Sequence, residues 1–128
     1  MIDFVNVSKT YGDKVVLNEA SLHIDDGEFV FIVGPTGAGK STLIKLISRE
    51  VIADSGDIIV DGTIIDDLSN REIPAFRRQI GMVFQDYKLL PNMTVYENVA
   101  FAMEVLKCSK RKIKRIVPKL LAMVGIED

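Results

Sequence analysis

Apolar and polar residues alternate along residues 3–7 and again along residues 15–24, the period-two spacing of half-buried strands. The second segment is interrupted near Asn18 and ends at Asp25-Asp26-Gly27, so the two read as strands of a hairpin. Phe29-Val30-Phe31-Ile32-Val33 breaks the alternation. An unbroken apolar run of this length predicts a parallel strand covered on both faces. From Lys40 the spacing lengthens, and Leu43, Ile44, Leu46 and Ile47 form a helical stripe that stops before Ala53-Asp54-Ser55-Gly56.

Further on, Ile58-Ile59-Val60 meets Thr63-Ile64-Ile65 across Asp61-Gly62, a dipeptide that tolerates positive φ at both turn positions and so predicts a second hairpin. Ser69-Asn70-Arg71-Glu72 has the serine and glutamate spacing of a reciprocal N-terminal cap and predicts a helix from Ser69. Residues 80–84 read as a short strand. Thr94-Val95-Tyr96-Glu97 repeats the capping pattern ahead of a helix to Leu106, and a last helix covers residues 110–124, with a kink or restart expected at Pro118.

Composition adds limits. The chain has 128 residues, 48% hydrophobic and 27% charged, which suits one globular domain with its own core and sets aside an intrinsically disordered chain. The net charge of −2 gives no global attraction to a nucleic-acid backbone, so no nucleic-acid partner is expected. The start of the chain lacks a signal-peptide pattern and no stretch is long and apolar enough to span a bilayer, which points to the cytoplasm. Cys108 is the one cysteine and cannot pair within the chain.

The chemistry is concentrated in Gly34-Pro35-Thr36-Gly37-Ala38-Gly39-Lys40-Ser41-Thr42, which fits the phosphate-loop pattern G-x-x-x-x-G-K-[ST]. Glycines let main-chain N–H groups turn toward a phosphate, the following helix presents its positive end, and Lys40 reaches the β- and γ-phosphates as a point charge. Ser41 would place its hydroxyl on magnesium. At average residue usage the pattern arises by chance in roughly 4 of 1000 chains of this length, and its position between an apolar strand and an amphipathic helix sets aside a mere flexible turn. ATP with Mg2+ is the expected ligand.

Tyr11 before the loop and Gln85 within Met82-Val83-Phe84-Gln85-Asp86 extend the pattern. Together with the loop they resemble the ABC-type ATPases, and the resemblance implies that Tyr11 stacks on adenine and that Gln85 forms the Q-loop, meeting magnesium and the attacking water. Within that family the chain is similar to the cell-division ATPases of the FtsE group, through Glu28-Phe29-Val30-Phe31-Ile32-Val33-Gly34-Pro35, Arg71-Glu72-Ile73-Pro74, Val83-Phe84-Gln85-Asp86 and Thr94-Val95-Tyr96-Glu97-Asn98-Val99-Ala100-Phe101-Ala102. Lipoprotein-release and macrolide-export ATPases share several of these features.

The resemblance implies an α/β fold: a P-loop NTPase of the RecA-like ABC ATPase core, with an antiparallel β subdomain and the start of a helical subdomain. It places the β subdomain and P-loop core in roughly residues 1–86 and the helical subdomain from roughly residue 87 to 128. It also implies an FtsX-like membrane partner, an ATP-dependent homodimer and a place on the inner face of the cell membrane. Three family features are absent from the sequence: the hydrophobic run followed by Asp-Glu, the LSGGQ motif and the switch histidine. Ile58-Ile59-Val60-Asp61 imitates the first, but Gly62 follows and the hairpin explains it better. The resemblance therefore implies a truncated cassette that binds ATP with negligible hydrolysis, and an apolar sheet left uncovered, hence poor solubility. The alternatives are a nucleotide-binding fragment without turnover and the ATPase subunit of a related lipoprotein-release or macrolide-export transporter; a third, a nucleotide or small-molecule kinase sharing the loop, does not account for Tyr11 together with Gln85.

Other features carry less. His23 alternates along a strand and reads as a solvated structural residue. Lys107, Lys110, Arg111, Lys112, Lys114, Arg115 and Lys119 interleave with Ile113, Ile116, Val117 and Leu120 at helical spacing, the pattern of a solvated face opposite a packed one. Asn92-Met93-Thr94 matches a glycosylation acceptor only by coincidence, and Cys108 lacks a neighbouring histidine that would make it a nucleophile.

Overall fold

The structure is a computed structural model that describes residues 1–126. The chain divides into two compact units, Met1–Gly81 and Met82–Asp128.

In the first unit the alternating segments form an antiparallel sheet of four strands, β1 (Ile2–Tyr11), β2 (Lys14–Ile24), β3 (Ser55–Val60) and β4 (Thr63–Ile64), in the order β2-β1-β3-β4. β1 runs beyond the expected residue 7 because a bulge changes its phase. Phe4 pairs with Leu22 and Val7 with Ala20, so β1 carries one residue more than β2 between those pairs. Asn6, with φ of 50°, takes up the extra residue, and both Phe4 and Val7 consequently face the core. The irregularity expected at Asn18 falls at Glu19, φ 45°, and β2 continues through it. Serine hydroxyls satisfy the donors that the bulges release: Asn6 N–H donates to Ser21 Oγ at 3.0 Å and Glu19 N–H to Ser8 Oγ at 2.9 Å.

β3 lies tight against β1 at Gly56. With φ of 82°, a Cβ there would lie 2.4 Å from the Asn6 carbonyl oxygen, so only glycine fits. Beside it Asp54 clamps the far end of β1. Its carboxylate accepts from Lys9 Nζ at 2.6 Å, Thr10 N–H at 2.6 Å and Thr10 Oγ1 at 2.7 Å. These bonds, led by the one from Lys9, hold the Asp54 pKa down at about 2. The Asp61-Gly62 turn has positive φ at both residues, as the dipeptide predicts, and joins β3 to β4.

Phe4, Val7 and Ile58 from the sheet meet Leu46 of α1 (Lys40–Ile47), Ile65 of the 3-10 turn Ile65–Asp67 and Phe76 of α2 (Ile73–Arg77) to form the core. α1 stops at Ile47 because Arg49 takes the left-handed conformation after it, φ 57°; Arg49 N–H donates to Leu46 O and Glu50 N–H to Lys45 O, at 2.9 and 2.8 Å. The Arg77 guanidinium then donates to the carbonyls of Ser48 (2.9 Å) and Arg49 (2.8 Å), and Arg49 reaches Ile65 O (3.2 Å) and pairs with Asp66 (3.1 Å). Burial pushes the Asp66 carboxyl up despite that pairing. α2 begins later than Ser69: Glu72 accepts from Ser69 N–H and Oγ as the cap requires, but residues 69–72 form a turn, with Pro74 in the first turn of the helix that follows.

Two expected strands do not form. Residues 29–33 and 80–84 are outside the sheet, because no described strand lies alongside them to receive their main-chain hydrogen bonds. Phe29, Phe31 and Val33 are 84%, 78% and 87% exposed, so the run is uncovered on that face rather than enclosed on both. The Phe29 and Phe31 rings meet edge to face, 5.0 Å apart.

The second unit contains α3 (Val95–Val105) and α4 (Lys110–Met123), which pack through Ala100, Ile113 and Val117, with Met103 and Cys108 against them. Thr94 and Glu97 form the expected reciprocal cap of α3. α4 is continuous across Pro118, without a restart, and its six Lys and Arg side chains are exposed opposite the packed face. Among the described residues no helix is long and apolar enough to cross a membrane.

Candidate functional site

The loop at residues 34–39 connects the apolar run to α1, and its backbone explains its glycines. Gly34, Gly37 and Gly39 have φ of 154°, 82° and 90°. Gly39 also has no room for a side chain, since a Cβ would lie 2.9 Å from Val16 Cγ1 and 3.0 Å from the Val16 carbonyl oxygen on β2. The loop therefore rests on β2, and α1 starts directly above it. The Ala38 N–H donates to Pro35 O at 3.2 Å and closes the intervening turn.

Gly39 caps α1 without a side-chain hydrogen bond, and no acidic residue sits in the first turn. The amides of that turn and the positive end of the helix are thus turned toward whatever lies in front of the loop. Lys40, the first residue of the helix, adds a cation where the helix dipole disfavours one, an arrangement relieved by an anion. Its Nζ donates to the carbonyls of Gly34 (2.6 Å) and Pro35 (2.7 Å), which draws the side chain back across the loop.

A cavity of about 420 Å³ opens here, lined by Tyr11, Lys14, Val16, Thr36, Gly37, Gly39, Lys40, Ser41 and Thr42. The lining holds two ammonium groups and no carboxylate, a donor set suited to a polyanion. The structure brings Tyr11 to the same cavity as the loop, through the two-residue turn Gly12-Asp13 that ends β1. Gly34, Pro35 and Ala38 shape the loop without lining the cavity. Gln85 belongs to the second unit, exposed at the start of a turn over residues 85–88 in which Tyr87 and Lys88 have positive φ and Lys88 Nζ donates to Asp86 at 2.6 Å.

Lys14 and Val16 lie outside the expected set. The signal for Lys14 is the Gly12-Asp13 dipeptide: a two-residue turn makes Tyr11 and Lys14 direct partners across the hairpin. His23, on the same hairpin, is bonded by Asp3 at Nδ1 and by Asp25 at Nε2 (3.0 Å), and these carboxylates raise its pKa.

An antiparallel sheet beside a glycine loop that opens a helix is the architecture of ATP-binding cassettes. The dimeric cassette MJ0796, in a post-hydrolysis state bound to ADP and Pi, aligns with a TM-score of 0.84 at 34% identity, over 98% of this chain and 57% of that one. For cbiO1 from Clostridium perfringens, part of the ABC transporter complex cbiONQ, the TM-score is 0.84 at 32% identity, over 98% and 51%. The profile of the ABC transporter family matches residues 17–128, and the chain belongs to that family. Its relatives include the cell division ATP-binding protein FtsE of Bacillus subtilis (strain 168), 47% identical over 99% of this chain and 56% of the relative, and that of Streptococcus pneumoniae serotype 2 (strain D39), 45% identical over the same shares. The spermidine/putrescine import ATP-binding protein PotA of Haemophilus influenzae (strain Rd) is 41% identical over 100% of this chain and 33% of its own length. The chain spans about half the length of the FtsE relatives it matches.

Proposed function

We propose that this chain binds Mg-ATP in the cavity in front of residues 34–42 and is the ATP-binding part of an ABC-type ATPase of the FtsE kind, working with an FtsX-like membrane protein in cell division. The observation that carries the reading is the cavity itself, where the glycine loop, the uncapped start of α1, Lys40 and Ser41 share one lining with Tyr11. Gly37, Gly39 and the first amides of α1 would hold phosphate oxygens, Lys40 would exchange its loop carbonyls for the β- and γ-phosphates, and Tyr11 would lie against the base. Ser41 would hold the magnesium ion, which when bound draws charge off the phosphate oxygens. Among the described residues no cluster of three His, Cys, Asp or Glu could hold a metal alone, so the ion would arrive with the nucleotide.

Residues 1–86 would form the β subdomain and P-loop core, and residues 87–128 the start of the helical subdomain. The FtsE relatives and the dimeric cassettes support an ATP-dependent homodimer on the inner face of the membrane. The 128 residues contain no Asp-Glu pair to polarise water, so by themselves they bind nucleotide with negligible turnover. Titration calorimetry with Mg-ATP tests the site: Lys40→Ala weakens binding at least about tenfold, the loss of one charge-assisted contact. Equal affinity in the variant would remove the loop from the site.

The PotA relatives support a second reading, an ATPase that drives solute import. Depleting the protein in its own cells separates the two. Filamentation follows for the first reading, and loss of solute uptake with normal division for the second.

A further inference from the structure

Lys14 is the feature of the cavity that the phosphate-loop reading leaves unused. It opens β2, directly across the Gly12-Asp13 turn from Tyr11, and two paired residues on adjacent antiparallel strands point to the same face. Its Nζ lies 3.5 Å from the point where a side chain on Gly37 would begin, so the ammonium stands over the middle of the phosphate loop. Lys40 addresses the same loop from its other segment, at Gly34 and Pro35. No described acceptor takes a hydrogen bond from Lys14, and no carboxylate lines the cavity it faces. A cation held by a tight turn at the mouth of a site with this lining, and without a partner among the described residues, is complementary to an anionic ligand.

We propose that Lys14 is a second phosphate-binding cation of this site, contacting the phosphate chain of the nucleotide at the Gly37 side of the loop while its hairpin partner Tyr11 faces the base. The inference rests on the nucleotide-binding reading above. It gives the β1–β2 hairpin a double role, since one two-residue turn sets both an aromatic surface and a positive charge at fixed spacing. It also predicts selectivity: the contribution of Lys14 scales with the charge of the ligand and vanishes for a nucleoside.

The test compares Mg-ATP and adenosine binding to the chain and to Lys14→Ala, Lys14→Arg and Lys40→Ala, with thermal unfolding without ligand as the control for folding. Lys14→Ala should weaken Mg-ATP about fivefold and flatten the salt dependence of its affinity, while adenosine binding is unchanged and Lys14→Arg restores most of the loss. Mg-ATP affinity unchanged in Lys14→Ala, with Lys40→Ala impaired, overturns the proposal and leaves the phosphate-loop reading standing. An equal loss for Mg-ATP and adenosine overturns it as well, since a phosphate contact cannot act on a ligand without phosphate. Unchanged affinity in Lys40→Ala overturns the nucleotide reading and the Lys14 proposal with it.

Discussion

β1 includes Asn6, Ser8 and Lys9 along its length and is paired on both edges; residues 29–33 are apolar without interruption and pair with nothing in the described sheet. The less apolar segment is the strand. Apolarity supplies a reason to be buried, but a strand exists only where neighbours take its main-chain hydrogen bonds, and β1 lies between β2 and β3. The contrast persists within the run. Phe29, Phe31 and Val33 share one exposed face, while Val30 and Ile32 are 40% and 36% exposed on the other. The run leads into the glycine loop, which rests on β2 at Gly39.

The sharpest way to break this contrast is to damage the pinned region where it is tightest. Gly56→Ala places a methyl group against the Asn6 carbonyl and strains a positive φ, and should cost about 3 kcal/mol of stability, read from the midpoint of urea unfolding. A loss below about 1 kcal/mol would mean that β1 and β3 can separate, and that β1 is not held as described.

A smaller effect should follow from acid. The Asp54 pKa is lowered from 3.8 to about 2 by Lys9 and Thr10. Its contribution is therefore complete above pH 3.8 and disappears as pH falls through about 2, because the folded state then has to accept a proton it binds more weakly than the unfolded state does. Unfolding followed between pH 5 and pH 2 should show this loss in the natural chain and a flatter profile in Asp54→Asn. Parallel profiles would detach Asp54 from the end of β1.

The smallest change in stability is expected at the other region. Phe31→Ser alters a side chain that is 78% exposed, so stability should stay within about 0.5 kcal/mol while self-association, followed by light scattering, decreases. A cost above about 2 kcal/mol would show residues 29–33 to be packed, and the contrast with β1 would be lost.

The same contrast explains what could be read in the sequence. Local chemistry was legible: the Asp61-Gly62 hairpin, the Thr94 and Glu97 cap, the stripe of α1 and the loop of residues 34–42 each depend on residues near one another in the chain. Features set by distant partners were not. The bulge at Asn6 moves Phe4 and Val7 to one face and hid the second half of β1, and the end of α1 rests on a left-handed Arg49 where no glycine marks the stop. The missing strands at residues 29–33 and 80–84 belong to the same class, since their fate depends on neighbours rather than on their own spacing. At the candidate site, the loop and Tyr11 were read from motif and resemblance, whereas Lys14 needed the turn geometry that sets it opposite Tyr11.

The central claim is that main-chain amides of the glycine loop and the first turn of α1 receive the phosphates of a nucleotide. It is tested most directly by following backbone amide resonances during titration with Mg-ATP. The account predicts saturable shifts largest at Gly37, Gly39, Lys40 and Ser41, accompanied by the ring of Tyr11, and much weaker shifts there with adenosine. Saturable binding that leaves those amides in place and moves another surface would contradict it.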